Sequence, residues 1–217
     1  MSQLRLGAWT QPILALVVGI QSASGALEDA VAAAFRNGAD WLQLRDRRLE
    51  TRAFLDWALP LAHAARQAAG PRPIAILVNR RGDVARAIAA DGVHLGFDAL
   101  SSEEARTLLG DDALVGVSTH YKDEIDPALL PGADYVHFAP VFDPLSKPAE
   151  REPAGLEGLS AACSRGLPVL AQGGITATNA TSAVGCGARG VAVTGAITEA
   201  TNPGAATAEL RAALDAA

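Results

Sequence analysis

Short, nearly uninterrupted runs of apolar residues recur along the chain and alternate with longer segments of helical periodicity. Such runs are typical of parallel strands covered on both faces, and the intervening segments are typical of amphipathic helices. Strands are predicted at Ile13–Val18, Trp41–Leu44, Ile74–Val78, Gly92–Leu95, Leu114–Val117, Tyr135–Phe138, Val169–Ala171 and Gly190–Val193. Helices are predicted at Leu27–Asn37, Thr51–Ala69, Asp83–Ala89, Ser101–Leu109, Gly155–Arg165, Asn179–Gly185 and Ala205–Ala217.

Local signals support several of these boundaries. The segment Ser101–Glu104 places capping hydroxyls and acidic side chains at a helix start, and Gly110 is placed to end that helix. Pro127 and Pro131 interrupt the segment after the fifth strand, so a helix there is expected to be short.

The order of the elements predicts the fold class. Eight strand–helix units in 217 residues favour a closed (β/α)₈ TIM barrel, an α/β fold, over a doubly wound open sheet. No linker, low-complexity tract or shift in composition divides the chain. We therefore expect residues 1–217 to form a single TIM-barrel domain.

Composition narrows the range of partners and compartments. The chain is 49% hydrophobic but only 5% aromatic, which predicts an aliphatic core, and its net charge of -6 argues against nucleic-acid or membrane-surface binding. Cys163 and Cys186 form no CxxC pair and indicate neither a disulfide framework nor a zinc site. No secretory signal and no apolar run of membrane-spanning length is present, so a cytoplasmic protein is expected.

In a TIM barrel, chemistry lies on the loops that follow the C-terminal ends of the strands. After the second strand, alternation sends Gln43 and Arg45 to one face, where an amide and a guanidinium can meet an anion. The long loop after the sixth strand carries Ser146 and Lys147, and the lysine can meet a phosphate as a point charge.

The last two loops predict a phosphate site. Gly173 and Gly174 follow the seventh strand, and Thr194 and Gly195 follow the eighth. Glycine lets backbone N–H groups approach phosphate oxygens, and these two loops are the usual phosphate cradle of a TIM barrel. The pairing of the two motifs is more specific than either alone.

Three further strand ends carry or border polar chemistry. His120, after the fifth strand, is the best candidate proton carrier because imidazole titrates near neutral pH. His94 and His137 lie within predicted strands and are expected to be structural. After the third strand comes Asn79, followed by Arg80 where a carboxylate would suit a phosphate-bound metal.

These motifs occur together in a known family. LQLRDR, VNRRGDVA, ADGVHLG, GVSTH, ADYVHFAPVF, SK, GLEGL, GGIT and GVAVTGAI follow one another between Leu42 and Ile197. In this order they resemble the thiamine phosphate synthase/TenI family of barrels. The resemblance implies a role in thiamin biosynthesis on a phosphorylated thiazole, in some members together with a pyrimidine diphosphate.

The resemblance allows two reactions. The synthase joins the thiazole nitrogen to a pyrimidine methylene group, displaces pyrophosphate and uses magnesium held by two acids. Here the first acid is replaced by Arg80, and the second motif ends in Phe97–Asp98 without its glutamine. Magnesium requires oxygen ligands, whereas an arginine cannot bind it and repels it.

The TenI branch lacks the metal acid and places a histidine where this chain has His120. Its reaction is a proton shift that aromatises thiazole carboxylate phosphate without a metal. We therefore expect a TenI-like thiazole tautomerase, an isomerase with no cofactor, in which His120 is catalytic. By the resemblance and the loop positions, the expected substrate- and phosphate-binding residues are Gln43, Arg45, Arg47, Asn79, Arg80, Ser118, Ser146, Lys147, Gly173, Gly174, Thr194 and Gly195.

Two alternatives stay open. The first is thiamine phosphate synthase itself, a transferase joining hydroxymethylpyrimidine diphosphate to thiazole phosphate with magnesium. The second is a non-catalytic regulator that binds phosphorylated ligands. In each case the expected partner is a small phosphorylated thiazole, with or without the pyrimidine diphosphate, and a homo-oligomer is compatible with the sequence.

Overall fold

The computed structural model describes residues 6–21, 27–143 and 151–217. Eight parallel strands pair in chain order and close into a barrel when β8 pairs with β1. They are β1 Ile13–Val18, β2 Trp41–Leu44, β3 Ala75–Asn79, β4 Gly92–Leu95, β5 Leu114–Thr119, β6 Tyr135–Phe138, β7 Val169–Gln172 and β8 Gly190–Val193. The predicted TIM-barrel fold is confirmed.

Three strands extend further than the apolar pattern predicts. β3, β5 and β7 end on the polar residues Asn79, Thr119 and Gln172. Each of these residues has a register partner on the neighbouring strand, so the ladder continues past the last apolar position. The apolar pattern stops before the strands do, because the strand ends at the barrel mouth are polar.

The helices surround the barrel. They are α1 Leu27–Arg36, α2 Thr51–Ala69, α3 Gly82–Ala87, α4 Ser102–Leu109, α5 Gly155–Cys163, α6 Ala180–Gly185, α7 Gly195–Thr198 and α8 Pro203–Asp215. The sequence did not predict α7, because four residues are too few to show a helical period. After β5 only a short 3₁₀ turn forms, at Lys122–Glu124, in keeping with the prolines beyond it.

The core has two layers. An aliphatic layer fills the space between the strands and the helices. Inside the barrel the packing is partly aromatic, because Trp41 meets Trp9 and Tyr135 edge-on at centroid distances of 5.4 and 4.9 Å. A Cβ at Gly116 would lie 2.1 Å from Cζ of Tyr135, so this interior layer depends on a glycine in β5.

Three buried or half-buried aspartates link the strands at the N-terminal end of the barrel. Asp40, Asp91 and Asp134 precede β2, β4 and β6, and each accepts the backbone N–H of a residue in the preceding strand. Burial raises the pKa of Asp40, while the Leu14 N–H bond and Arg211, 3.2 Å away, oppose the shift. The aspartates at this end of the barrel therefore stabilise the fold.

Among the described helices, none has the length and apolar character needed to cross a membrane.

Candidate active site

A layer of polar side chains closes the barrel interior just below its mouth. Gln43 on β2 is 2% exposed and Asn79 on β3 is 4% exposed, and Gln43 Nε2 donates to Asn79 Oδ1 over 3.2 Å. Gln43 Oε1 is buried and has no donor among the described residues. A buried acceptor without a donor is costly, so this oxygen is available to a donor on a ligand.

His94 on β4 links this layer to the strands beside it. Its Nδ1 lies 3.2 Å from the Tyr135 hydroxyl, and its Nε2 lies 2.9 Å from Ser118 Oγ. Burial lowers the pKa of His94 well below its ordinary value, with His137 and Arg45 adding to the effect, and burial raises the pKa of Tyr135. A protonated phenol beside a neutral imidazole donates to Nδ1. Nε2–H then donates to Ser118, which leaves the serine hydroxyl proton for a ligand.

His137 on β6 lies beside His94, with ring centroids 4.1 Å apart and the ring planes tilted by 37°. Burial lowers the pKa of His137 to about 4, and the Gln172 side chain opposes this shift. Its Nε2 is buried without a hydrogen-bond partner in the part of the chain that the structure describes. Both histidines were expected to be structural, yet they lie directly below the mouth and are neutral at pH 7.

One signal, the inward phase of its strand, could have identified His94 as a site residue. Gln43 and His94 lie on the same inward phase of their strands, as the pairing of Gln43 with Leu77 and of Asn79 with His94 shows. Apolar neighbours on both sides of this histidine concealed that phase, because strands covered on both faces lack a clear alternation.

His120 lies at the rim, one residue past β5. Its Nδ1 is 2.6 Å from the carbonyl oxygen of Ala139, and its backbone N–H donates to Glu124 Oε2. Since a carbonyl only accepts, Nδ1 carries a proton. The ring stacks on Phe97 with centroids 4.9 Å apart. His120 is thus held in one orientation by three neighbours.

Arginines surround the mouth above β2, β3 and β4. Arg45 and Arg47 are exposed just beyond β2, and Arg80 follows β3. Arg80 Nη1 lies 2.6 Å from Asp98 Oδ1, and Arg80 Nη2 donates to the Asp98 carbonyl oxygen over 3.0 Å. The Arg80 guanidinium holds the pKa of Asp98 below its ordinary value.

The glycines of the seventh loop are required by packing. Gly173 and Gly174 have φ of 91° and 62°. A Cβ at Gly173 would lie 2.7 Å from Cα of Pro140, and one at Gly174 would lie 2.3 Å from the carbonyl oxygen of Asp143. The loop after β7 is therefore pressed against the segment after β6.

The eighth loop leads into a helix. Thr194 precedes α7 and Gly195 begins it, and the Thr194 carbonyl oxygen accepts N–H bonds from Ile197 and Thr198. The two loops predicted to bind phosphate thus stand side by side at the ends of paired strands. The predicted site residues Ser146 and Lys147 lie outside the described residues.

The residues at this mouth do not fit a magnesium ion held by the protein. Between Gly96 and Ser101 the one acid is Asp98, and its carboxylate is engaged by Arg80. Asp83, at the start of α3, is engaged by Arg81 at 2.6 Å. Within the described ranges no three His, Cys, Asp or Glu side chains are grouped to hold a metal.

Comparison with known proteins gives a consistent match. A family model described as thiamine monophosphate synthase (TMP-TENI) matches residues 14–197. Thiamine-phosphate synthase of Roseiflexus sp. (strain RS-1) is 40% identical over 190 residues, covering 87% of this chain and 79% of that protein. The synthase of Natronomonas pharaonis is 39% identical over 204 residues, covering 92% and 94%.

The solved structures agree. Thiamine phosphate pyrophosphorylase from Pyrococcus furiosus superposes with a TM-score of 0.80 at 29% identity, covering 94% of this chain and 96% of that one. A native KDPGal structure, 16% identical with a TM-score of 0.67, shares the fold alone.

These findings correct the functional expectation. The relatives bear the synthase name at about 40% identity, so the expectation of a TenI-like thiazole tautomerase is wrong and the synthase alternative is better supported. That expectation depended on the charge reversal at Arg80 together with the histidine at His120. A single altered side chain changes how charge is supplied at a site, whereas the rest of the chain resembles the synthases. The catalytic acid–base role predicted for His120 belonged to that tautomerase reaction.

Proposed function

We propose that the chain, which belongs to the thiamine monophosphate synthase family, is a thiamine-phosphate synthase. It would join a pyrimidine methylene diphosphate to a thiazole phosphate and release pyrophosphate. The observation that carries this proposal is the similarity to named synthases at 39–40% identity over 79–94% of their length. The enzyme would act in thiamin biosynthesis.

The two phosphorylated substrates have separate sites in this proposal. The thiazole phosphate lies against the seventh and eighth loops, which carry Gly173, Gly174, Thr194 and Gly195. The diphosphate lies across the mouth, near the arginines that follow β2 and β3. Ser146 and Lys147 are assigned to anion binding by the family resemblance.

The buried polar layer orients the heteroaromatic rings. Gln43 Oε1 accepts from a ring donor, because no described residue satisfies it. Ser118 donates its hydroxyl proton, because His94 Nε2–H occupies its oxygen at 2.9 Å. With Asn79 fixing the Gln43 amide at 3.2 Å, both groups are preorganised before the substrates arrive.

The reaction depends on positioning of the substrates and stabilisation of charge rather than on proton transfer. The ring nitrogen of the thiazole donates its lone pair to the pyrimidine methylene carbon, and the bond from that carbon to the diphosphate oxygen breaks. The electron pair of the broken bond leaves on the diphosphate. Since no proton moves in this step, we assign His120 a structural role. It maintains the shape of the rim through its contacts with Ala139 and Phe97.

Magnesium is implied by the family resemblance as a partner of the diphosphate. The residues described at this mouth do not fit a protein-held ion, because Asp98 and Asp83 are each engaged by an arginine.

The test is a product assay. Purified protein is mixed with hydroxymethylpyrimidine diphosphate and thiazole phosphate, with and without magnesium, and thiamine phosphate is measured by mass spectrometry. We expect product in at least one condition and loss of most of it in Gln43→Leu, which keeps the volume and removes the buried amide. Absence of product in every condition, with both substrates saturating, would refute the proposal.

A further inference from the structure

The geometry points to a diphosphate site whose positive charge comes from Arg80 rather than from a protein-bound divalent cation. In this site Asp98 is a positioning residue that holds the Arg80 guanidinium over the end of β4. The inference rests on the proposed function for its substrate, but its geometry stands on the described residues alone.

Arg80 is placed unusually for an arginine. Its backbone has φ of 67°, in the left-handed region, and its N–H donates to the His94 carbonyl oxygen over 2.9 Å. Left-handed backbone outside glycine is disfavoured and is found where a particular side-chain direction is needed. Here that conformation accompanies a side chain that reaches from the end of β3 to the loop after β4.

Arg80 contacts Asp98 through two of its guanidinium nitrogens. One guanidinium nitrogen lies 2.6 Å from the Asp98 carboxylate, and another donates to the Asp98 carbonyl oxygen. The Arg80 side chain is 23% exposed and the Asp98 side chain 66%. The arginine is therefore largely packed within the rim, while its acidic partner faces solvent. An incoming anion therefore has little water to displace from the guanidinium.

Other cations converge on the same place. Arg47 acts electrostatically on Asp98 and also lies beside Gly96, and Arg45 acts on His94. Asp46, between them, is turned to the backbone N–H groups of Arg48 and Leu49. The ends of β2, β3 and β4 are adjacent in the barrel, so these arginines lie at the same side of the mouth.

This charge suits the leaving group. When the carbon–oxygen bond breaks, the diphosphate takes the electron pair and gains one negative charge, while the thiazole nitrogen becomes positive. The Arg80 guanidinium has five N–H bonds, and those not directed at Asp98 can donate to the diphosphate oxygens and stabilise that charge. The two acids implied by the family resemblance would instead require a metal to reverse their sign, and here one of the two positions is Arg80 itself.

Inorganic pyrophosphate is the probe for this inference. Its binding is measured by isothermal titration calorimetry on the full chain, in a metal chelator and then in magnesium. We expect binding in the chelator, with affinity within about threefold of that in magnesium. Arg80→Gln should weaken binding in the chelator by about tenfold or more, because a charged two-point contact is lost.

A neighbouring arginine gives the matched control. Arg81→Gln removes the same charge, but Arg81 pairs with Asp83 and Thr51 instead of Asp98, so pyrophosphate affinity should change less than about threefold. Arg80→Gly guards against misfolding, since glycine accepts the left-handed backbone, and it should weaken binding as Arg80→Gln does. Arg80→Asp should bind pyrophosphate only with magnesium.

The outcomes separate this inference from the proposed function. Pyrophosphate binding by the unaltered protein only when magnesium is present, or unchanged binding in Arg80→Gln, would overturn the inference. Turnover of both substrates that stops in chelator would also overturn it while supporting a synthase. Metal-independent pyrophosphate binding that Arg80→Gln abolishes would support the inference even in a protein that turns over neither substrate.

Discussion

At the scale of single residues, the mouth of the barrel is organised by neutral hydrogen-bonding groups beneath charged ones. His94 and His137 are neutral because burial lowers their pKa values. Because neither ring is charged, the arginines above them are the source of positive charge at the mouth. The reacting atoms would thus meet fixed dipoles on one side and cations on the other.

Gly116 is the residue on which this arrangement depends most directly. Gly116→Ala would place a Cβ 2.1 Å from Cζ of Tyr135 and force the buried ring to move. We expect the free energy of unfolding to fall by about 3 kcal/mol, measured by urea denaturation. Gly185→Ala, at the end of α6 with no atom near its Cβ, should cause no loss. Equal stability of the two variants would contradict the packing argument.

Because His137 is buried, we predict that the stability of the fold depends on pH. Its folded pKa is about 4, below the value near 6.5 expected when the chain is unfolded. The unfolded chain then binds more protons between these values, so stability is complete above pH 6.5 and is lost as pH falls toward 4. This residue should account for about 3 kcal/mol of the loss.

The measurement compares two histidine variants. The drop in unfolding free energy between pH 7 and pH 4.5 should be smaller in His137→Gln than in the unaltered protein. His63→Gln, at an exposed position on α2, should leave the drop unchanged. A full-sized drop in His137→Gln would show that this histidine is not the group responsible.

At the scale of elements, the loops after β6 and β7 act as one unit. Val141 N–H donates to the Gln172 carbonyl oxygen, and Phe142 N–H donates to that of Gly173. The glycines let the two backbones approach, and this contact supports the phosphate site that we propose on the seventh loop.

Two glycines with the same backbone test this contact. Gly174 and Gly155 have φ of 62° and 64°, but only Gly174 faces close neighbours, with Asp143 O at 2.3 Å from an added Cβ. Each alanine variant should lose about 1 kcal/mol for its left-handed backbone. Gly174→Ala should lose about 2 kcal/mol more in thermal or chemical unfolding and should raise the KM for thiazole phosphate. Similar losses in both variants would argue against the loop contact.

Most of the elements were predictable from the apolar pattern, and the exceptions have two causes. Strand ends at Asn79, Thr119 and Gln172 are polar, and α7 is too short to show a period. The site was predictable where polar side chains lie near the C-terminal ends of strands, as at Gln43 and Ser118. The pairing of Arg80 with Asp98 was not, because it depends on a left-handed backbone at a residue that disfavours it.

At the scale of the whole molecule, the two ends of the barrel have different tasks. Hydrogen-bonded aspartates brace the N-terminal end, and polar groups available to ligands occupy the C-terminal end. Such a division lets the mouth carry unsatisfied groups while the opposite end supplies stability.

Arg211→Met tests that division. Arg211 joins α8 to Asp40 and to the Pro12 carbonyl oxygen, so its loss leaves a mostly buried carboxylate short of its nearest cation. We expect about 3 kcal/mol of destabilisation with kcat unchanged at a temperature where the variant is folded. Arg52→Met, which breaks an exposed pair with Asp56, should change stability by less than about 0.5 kcal/mol. A fall in kcat for a fully folded Arg211→Met would contradict the division.

The central claim, that this chain is a synthase, is tested most directly by following both products in one time course. Protein, hydroxymethylpyrimidine diphosphate and thiazole phosphate are combined, and thiamine phosphate and pyrophosphate are measured together, with each substrate omitted in turn. The account predicts that the two products appear in equal amounts and only when both substrates are present. Pyrophosphate released without thiamine phosphate, or neither product with or without magnesium, would contradict it.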